Sequence, residues 1–220
     1  MFESWILSKK LLPVLKPSLY KIMTSARPYA MISRNRMQSL DRLLHRIERD
    51  GVEGDVVETG VARGGSAILL ATRALESPLQ RDVWLYDAFE LFDAGDGPCA
   101  YFAEVEQLLH ETFAFPRDRV HVIRGFFADT LPGHPQKPIS LLHLDAGHYD
   151  VNKVCLDHLF SRISPGGWLV VDNYGVCPHC RRAVDERLYA EGLDSAVQRF
   201  NHTQAFVQKP HDRAATRRAA

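Results

Sequence analysis

The sequence predicts an α/β fold, a Rossmann-like doubly wound and mostly parallel sheet with helices on both faces. Three observations carry that prediction. Short apolar runs alternate with stretches of helical periodicity. A glycine-rich turn follows the first apolar run. Acidic residues stand where several of the runs end.

The elements follow in order. Residues 1–35 read as an irregular or helical N-terminal arm, a candidate lid. Leu40, Leu43, Leu44 and Ile47 recur at helical spacing between Ser39 and Arg49, and Gly51 and Gly54 stop that helix. Asp55–Glu58 reads as a buried strand and Ser66–Leu75 as the helix after a glycine loop. Val83–Asp87 is strand-like, Tyr101–Thr112 helical, and Val120–Ile123 and Ile139–Leu144 are strands. A helix is expected over Val151–Ile163, and Ser164-Pro165-Gly166-Gly167 turns into the strand Trp168–Val171. A last helix spans about Cys180–Glu191, and Ala196–Val207 supplies one or two terminal strands. The core domain is thus expected over residues 36–208, with a basic, alanine-rich and disordered tail at 209–220.

Composition narrows the function. Lys plus Arg and Asp plus Glu both number 27, so the chain lacks the broad positive field of a nucleic-acid binder. No apolar run approaches the roughly 20 residues that span a bilayer. The N-terminus, interrupted by Pro13 and Pro17, does not read as a signal peptide. These features imply a cytoplasmic protein with a small-molecule partner, neither a nucleic acid nor a membrane, and a homo-oligomer is compatible with them. Cys177-Pro178-His179-Cys180 has the spacing of half a zinc site, but the second half is missing and an ordinary loop is the stronger reading.

The loop Glu58-Thr59-Gly60-Val61-Ala62-Arg63-Gly64-Gly65-Ser66 lies between a strand and a helix, where backbone N–H groups approach a ligand. Its spacing is not the G-x-G-x-x-G of dinucleotide enzymes. An acid two residues before the first glycine suits an ammonium-bearing ligand and would repel a pyrophosphate. Asp87, 29 residues on, ends the second strand and can accept the hydroxyl protons of a ribose. An amino acid and a ribose in one ligand suggest S-adenosylmethionine, although Glu58 and Asp87 could also be solvated strand-end residues.

Two further strands end in acids, Leu144-Asp145-Ala146-Gly147-His148-Tyr149-Asp150 and Val171-Asp172-Asn173-Tyr174. Ligands of open α/β sheets bind beyond the carboxyl ends of the strands. Asp145, Asp172 and Asn173 therefore form a candidate set of hard oxygen ligands for Mg²⁺ or a similar divalent cation. Such a cation would stabilise the alkoxide that develops as a hydroxyl attacks a sulfonium methyl. The alternative is one aspartate capping a helix and the other facing solvent.

These motifs, together with Arg36-Met37-Gln38-Ser39-Leu40, Asp87-Ala88-Phe89-Glu90, Gly125-Phe126-Phe127-Ala128-Asp129-Thr130-Leu131-Pro132, Ser164–Tyr174 and Cys180-Arg181-Arg182-Ala183-Val184-Asp185, resemble the macrocin O-methyltransferase family from about Arg36 to Gln208. The resemblance implies a class I methyltransferase fold, S-adenosylmethionine, a divalent metal and a sugar hydroxyl on an antibiotic-like acceptor. It implies cofactor contacts from Glu58, Thr59, Gly60, Gly64, Ser66, Asp87, Phe126, Asp129 and Asp145, and metal ligation by Asp145 and Asp172. The chain departs from the family in two places. Asn173 stands where the family has a second aspartate, a pairing similar to that of catechol O-methyltransferase. Gly147 replaces the family's acid two residues after Asp145. With that proton acceptor missing, His148 becomes the candidate base, because imidazole is ordinarily a neutral base near pH 7. Asp150 is the reserve, and Asp145 completes the catalytic set. A histidine that merely caps the following helix is the competing account. A nicotinamide-dependent oxidoreductase and a non-catalytic cofactor-binding protein are the alternative functions. The glycine spacing disfavours the first, and the retained Asp145, Asp172 and Asn173 disfavour the second. Acceptor contacts are expected from the arm and from loop 91–98; Phe92, Phe113 and Phe115 are further candidates, for which a place in the core is the stronger reading.

Overall fold

The computed structural model describes residues 11–91 and 101–211; Phe92, most of loop 91–98 and the tail from residue 212 lie outside the described residues. Helices α1 (Leu12–Leu15), α2 (Pro17–Ala26) and α3 (Arg34–Arg49) precede β1 (Asp55–Thr59) and α4 (Gly65–Leu75). Then come β2 (Val83–Asp87), α5 (Phe102–Gln107), β3 (Val120–Arg124), α6 (Phe127–Thr130), β4 (Ile139–Leu144) and α7 (Tyr149–Leu159). The chain ends with β5 (Ile163–Val171), α8 (Pro178–Ala190), β6 (Val197–Arg199) and β7 (Ala205–Gln208).

The seven strands lie in the order β3-β2-β1-β4-β5-β7-β6. Strands β1 to β5 are parallel, while β7 runs antiparallel to β5 and β6 antiparallel to β7. From β1 the chain winds outward to β2 and β3, then returns to β4 on the other side. The loops leaving β1 and β4 therefore diverge, and a crevice opens between them.

Every residue of β1 and β4 is buried, as expected for parallel strands covered on both faces. Neighbouring residues point to opposite faces, so Val56 and Leu141 join a core with residues of α2, α3 and α4, while Val57 and Leu142 join a core with α7 and α8. Leu12, Leu19, Met23, Ala26 and Ile32 belong to the first of these cores, so residues 11–35 pack against the sheet's helical cover.

Several boundaries differ from the sequence reading, each for a local reason. Helix α3 starts at Arg34 because the Ser33 hydroxyl accepts the Arg36 N–H at 3.4 Å, capping the helix five residues before its apolar stripe. The 101–112 segment is α-helical only to Gln107 and continues as a π-helical turn over Leu108–Thr112. Helix α7 begins at Tyr149 and gives way to a 3₁₀ turn at Phe160–Arg162. Residues 164–167, expected as a turn, extend β5, because the β4–β5 ladder shifts register between Ile139 and Leu141 and accommodates them. The short helix α6, absent from the sequence reading, has too few residues for a periodic signal.

Candidate active site

The crevice holds a cavity of about 410 Å³, within the range of small-molecule sites. Gly60, Asp87, Phe126, Asp145, His148 and Asp150 line it, along with Met31, Arg63, Phe89 and Phe127. The loops after β1, β2, β3 and β4 thus meet at one mouth, with Met31 contributed by the segment before α3.

Gly60 holds two of these loops together. Its φ is +93°, and a Cβ there would collide with the Asp145 carbonyl oxygen. Only glycine lets the β1 and β4 exits pass so closely. Asp87 is locked by backbone: its Oδ2 accepts the Ala62 N–H and its Oδ1 the Phe89 N–H, both at 2.8 Å. Each oxygen keeps a further lone pair for a ligand.

Beneath the cavity floor lies a charged network that the sequence reading missed. The parallel register sets Glu58 on β1 opposite His143 on β4, and both are fully buried. Glu58 Oε1 lies 2.7 Å from His143 Nδ1. On the other side, His143 Nε2 lies 3.3 Å from Asp172 Oδ1, an ion pair without hydrogen-bond alignment. Asp172 also receives the Arg36 guanidinium on Oδ2 at 3.1 Å and the Gln204 amide on Oδ1. Arg36 reaches on to Thr203 at 3.1 Å, and Ser39 donates to Gln204 at 2.6 Å. Burial alone would lower the His143 pKa, yet Asp172 and Glu58 hold it well above its ordinary value. For Asp172, His143 and Arg36 outweigh burial and hold its carboxyl below the usual range.

Asp145 stands at the edge of this network, on the cavity wall. Burial, reinforced by Asp172, pushes its carboxyl up to about 7. Its Oδ1 accepts the Asn173 amide at 2.7 Å. Single ligand atoms of His143, Asp145 and Asp172 lie within 4.8 Å of one another.

The structure therefore brings together Gly60, Asp87, Phe126, Asp145, His148 and Asp150 at the cavity, and Asp145 with Asn173 beside it. Glu58, Thr59 and Ser66 are buried and do not line the cavity. Gly64 is the N-cap of α4, outside the cavity, and Asp129 is exposed on α6. Asp172 faces inward to Arg36 and His143. His148 precedes α7 as its N-cap, but its side chain makes no capping bond. Phe113 and Phe115 stack on each other at 5.8 Å and pack against the first core, away from the cavity. Cys177 and Cys180 belong to no cluster of three metal-ligating side chains among the described residues. His143, Arg36 and Gln204 are the residues whose place in the site was missed. A histidine within an otherwise apolar buried strand was the one available signal for His143.

A sheet of this order, with its ligand crevice at the β1–β4 divergence, defines a class I methyltransferase. The structure superimposes on the O-methyltransferase NovP with a TM-score of 0.75 and 25% identity, covering 92% of this chain and 97% of that one. Residues 24–209 match the sequence model of the Macrocin-O-methyltransferase (TylF) family, and the chain belongs to that family. It is accordingly an S-adenosylmethionine-dependent O-methyltransferase. Among curated relatives, the 8-demethyl-8-(2,3-dimethoxy-alpha-L-rhamnosyl)-tetracenomycin-C 4'-O-methyltransferase of Streptomyces olivaceus is 31% identical over 196 residues, covering 81% of this chain and 74% of the relative. The mycinamicin III 3''-O-methyltransferase of Micromonospora griseorubida is 31% identical over 193 residues, covering 77% and 74%. Among the described residues no helix is long and apolar enough to cross a membrane.

Proposed function

We propose that this enzyme methylates a hydroxyl of a glycosylated small molecule, with a divalent cation at the Asp145 corner of the cavity. The observation that carries the reading is Asp145 itself, a carboxyl on the cavity wall with ligand atoms of Asp172 and His143 within 4.8 Å. The curated relatives, all named as O-methyltransferases and one for a rhamnosyl-bearing tetracenomycin, support the acceptor class.

The donor set suits a hard cation. Asp145 and Asp172 offer oxygens within 4.8 Å of each other, and ligands of one Mg²⁺ stand about 3–4 Å apart. The Asn173 amide beside Asp145 presents its oxygen once the amide is turned over, an orientation the bonding network alone decides. Asp145, Asn173 and Asp172 would hold the cation, Asp172 by yielding one of its contacts to Arg36 or Gln204. When bound, the cation supplies stabilisation of the developing alkoxide. When bound, S-adenosylmethionine supplies the sulfonium methyl. Asp87 accepts ribose hydroxyls, Phe89, Phe126 and Phe127 exclude water from the adenosine side, and Glu58, Gly64, Ser66 and Asp129 shape the loops around it. His148, on the wall beyond Asp145, takes the acceptor proton, with Asp150 beside it on the same wall.

Exhaustive chelation with EDTA is expected to abolish methyl transfer to rhamnosylated acceptors, with Mg²⁺ restoring it. Asp145→Ala is expected to lose turnover while calorimetric S-adenosylmethionine affinity stays within about twofold. Undiminished activity after chelation would remove the cation from the mechanism.

A further inference from the structure

Cys177 and Cys180 take no part in the reading above, yet their thiols reach the cavity wall. Cys177 is the N-cap of α8, partly exposed, with Pro178 at the first helical position; Cys180 is fully buried one turn in. The Cys177 thiol donates to the Gly147 carbonyl at 2.9 Å, and its sulfur accepts the Cys180 N–H at 3.4 Å. The Cys180 thiol donates to Asn152 Oδ1 at 3.7 Å. Asn152 in turn donates from Nδ2 to the carbonyls of Ala146 at 2.9 Å and His148 at 2.6 Å. Of three consecutive carbonyls between β4 and α7, Gly147 is held by the Cys177 thiol, and Ala146 and His148 by the Asn152 amide that the Cys180 thiol contacts, His148 also accepting the Asn152 backbone N–H at 3.0 Å. Gly147 has no side chain to pin that loop. Ala146, Gly147 and His148 all line the cavity.

We propose that Cys177 and Cys180 form a reversible dithiol–disulfide site whose oxidation releases the Ala146–His148 loop of the cavity wall. The arrangement suits thiol–disulfide exchange: two cysteines separated by two residues, the first accessible at the positive end of a helix, the second buried behind it. The oxidant is a low-molecular-weight disulfide. The Cys177 sulfur, its proton given to solvent, attacks one sulfur of that disulfide, whose S–S bond breaks to expel a thiolate. The Cys180 sulfur, losing its proton in turn, attacks the Cys177 sulfur of the mixed disulfide and expels the second thiolate. Both released thiolates are protonated, so the protein loses two hydrogens and the oxidant gains them. Until then burial keeps the Cys180 thiol up at about 12, protonated and able to donate to Asn152.

Closure disturbs the loop because the Cys177 sulfur must turn from Gly147 to the Cys180 sulfur and both S–H donors disappear, leaving the Gly147 carbonyl and Asn152 Oδ1 without those partners.

The test titrates the full chain with reduced and oxidised glutathione, traps thiols with a maleimide, maps peptides by mass and follows amide hydrogen exchange. The expected product is a Cys177–Cys180 disulfide retaining no glutathione, with exchange from Ala146 to Asn152 at least about tenfold faster and restored by dithiothreitol. Cys177→Ser keeps a donor for Gly147 and forms no disulfide, so its loop exchange is expected to ignore the oxidant. Cys177→Ala is expected to exchange fast even when reduced. A persistent glutathione adduct on Cys177, a pairing with Cys99 or Cys155, or a Cys177–Cys180 disulfide with unchanged loop exchange would each overturn the proposal.

Discussion

Glu58 shows how one side chain changes meaning between sequence and structure. As a strand-end acid it reads as a partner for a ligand's ammonium group. In the fold it is fully buried and its Oε1 meets His143. Its Oε2 is buried without a hydrogen-bond partner among the described residues. Removing one member of a buried ion pair strands the other, at about 3–5 kcal/mol. Glu58→Ala is therefore expected to lower unfolding free energy by about that amount in urea titrations. A loss below about 1 kcal/mol would mean that His143 does not depend on it. His143 sits between the carboxylates of Glu58 on β1 and Asp172 just past β5, so the effect should reach Asp172 and through it Arg36 on α3.

At the scale of elements, the site depends on how closely the exits of β1 and β4 approach. Gly60→Ala forces a Cβ against the Asp145 carbonyl in a backbone of positive φ. Such strain costs on the order of 1–3 kcal/mol. The variant is expected to lose stability by that amount and to bind S-adenosylmethionine at least about tenfold more weakly by calorimetry. Wild-type affinity would show that the two loops can part without harm. The segment between β4 and α7 carries the acid–base prediction. His148→Ala is expected to lower turnover by about 10²–10⁴, the usual contribution of a general base, while cofactor binding is retained. An unchanged pH–rate profile would instead assign the proton to Asp150 or to water.

For the molecule as a whole, acid stability carries its own signature. His134 is buried, with its Nδ1 2.7 Å from the Tyr86 hydroxyl, and burial then nearby Arg162 lower its pKa to about 4. The native protein keeps it neutral, whereas the unfolded chain takes up a proton near pH 6.5. Its contribution is fully present above pH 6.5 and is lost as pH falls toward 4, roughly 3 kcal/mol in all at about 1.4 kcal/mol per pH unit. Urea midpoints measured across that window should fall steeply for the wild type and less so for His134→Gln; parallel curves would locate the acid sensitivity elsewhere. The alternation of β1, α4, β2, β3, β4, α7, β5 and α8 was legible in the chain because short apolar stretches alternate with helical periodicity, and the glycine and acidic strand ends stand out against them. The family's motifs carried the methyltransferase reading for the same reason: they are local, written in consecutive residues. What no local pattern contains is register and convergence. The pairing of Glu58 with His143 follows from β1 lying beside β4, 85 residues away in sequence. The grip of Arg36 and Gln204 on Asp172 follows from α3 and the β6–β7 turn meeting at the end of β5. Spacing along the chain determined which residues could do the chemistry. Only the packing of distant segments in a low-dielectric interior decided which acids are paired within the protein and which, Asp145, stands on the cavity wall.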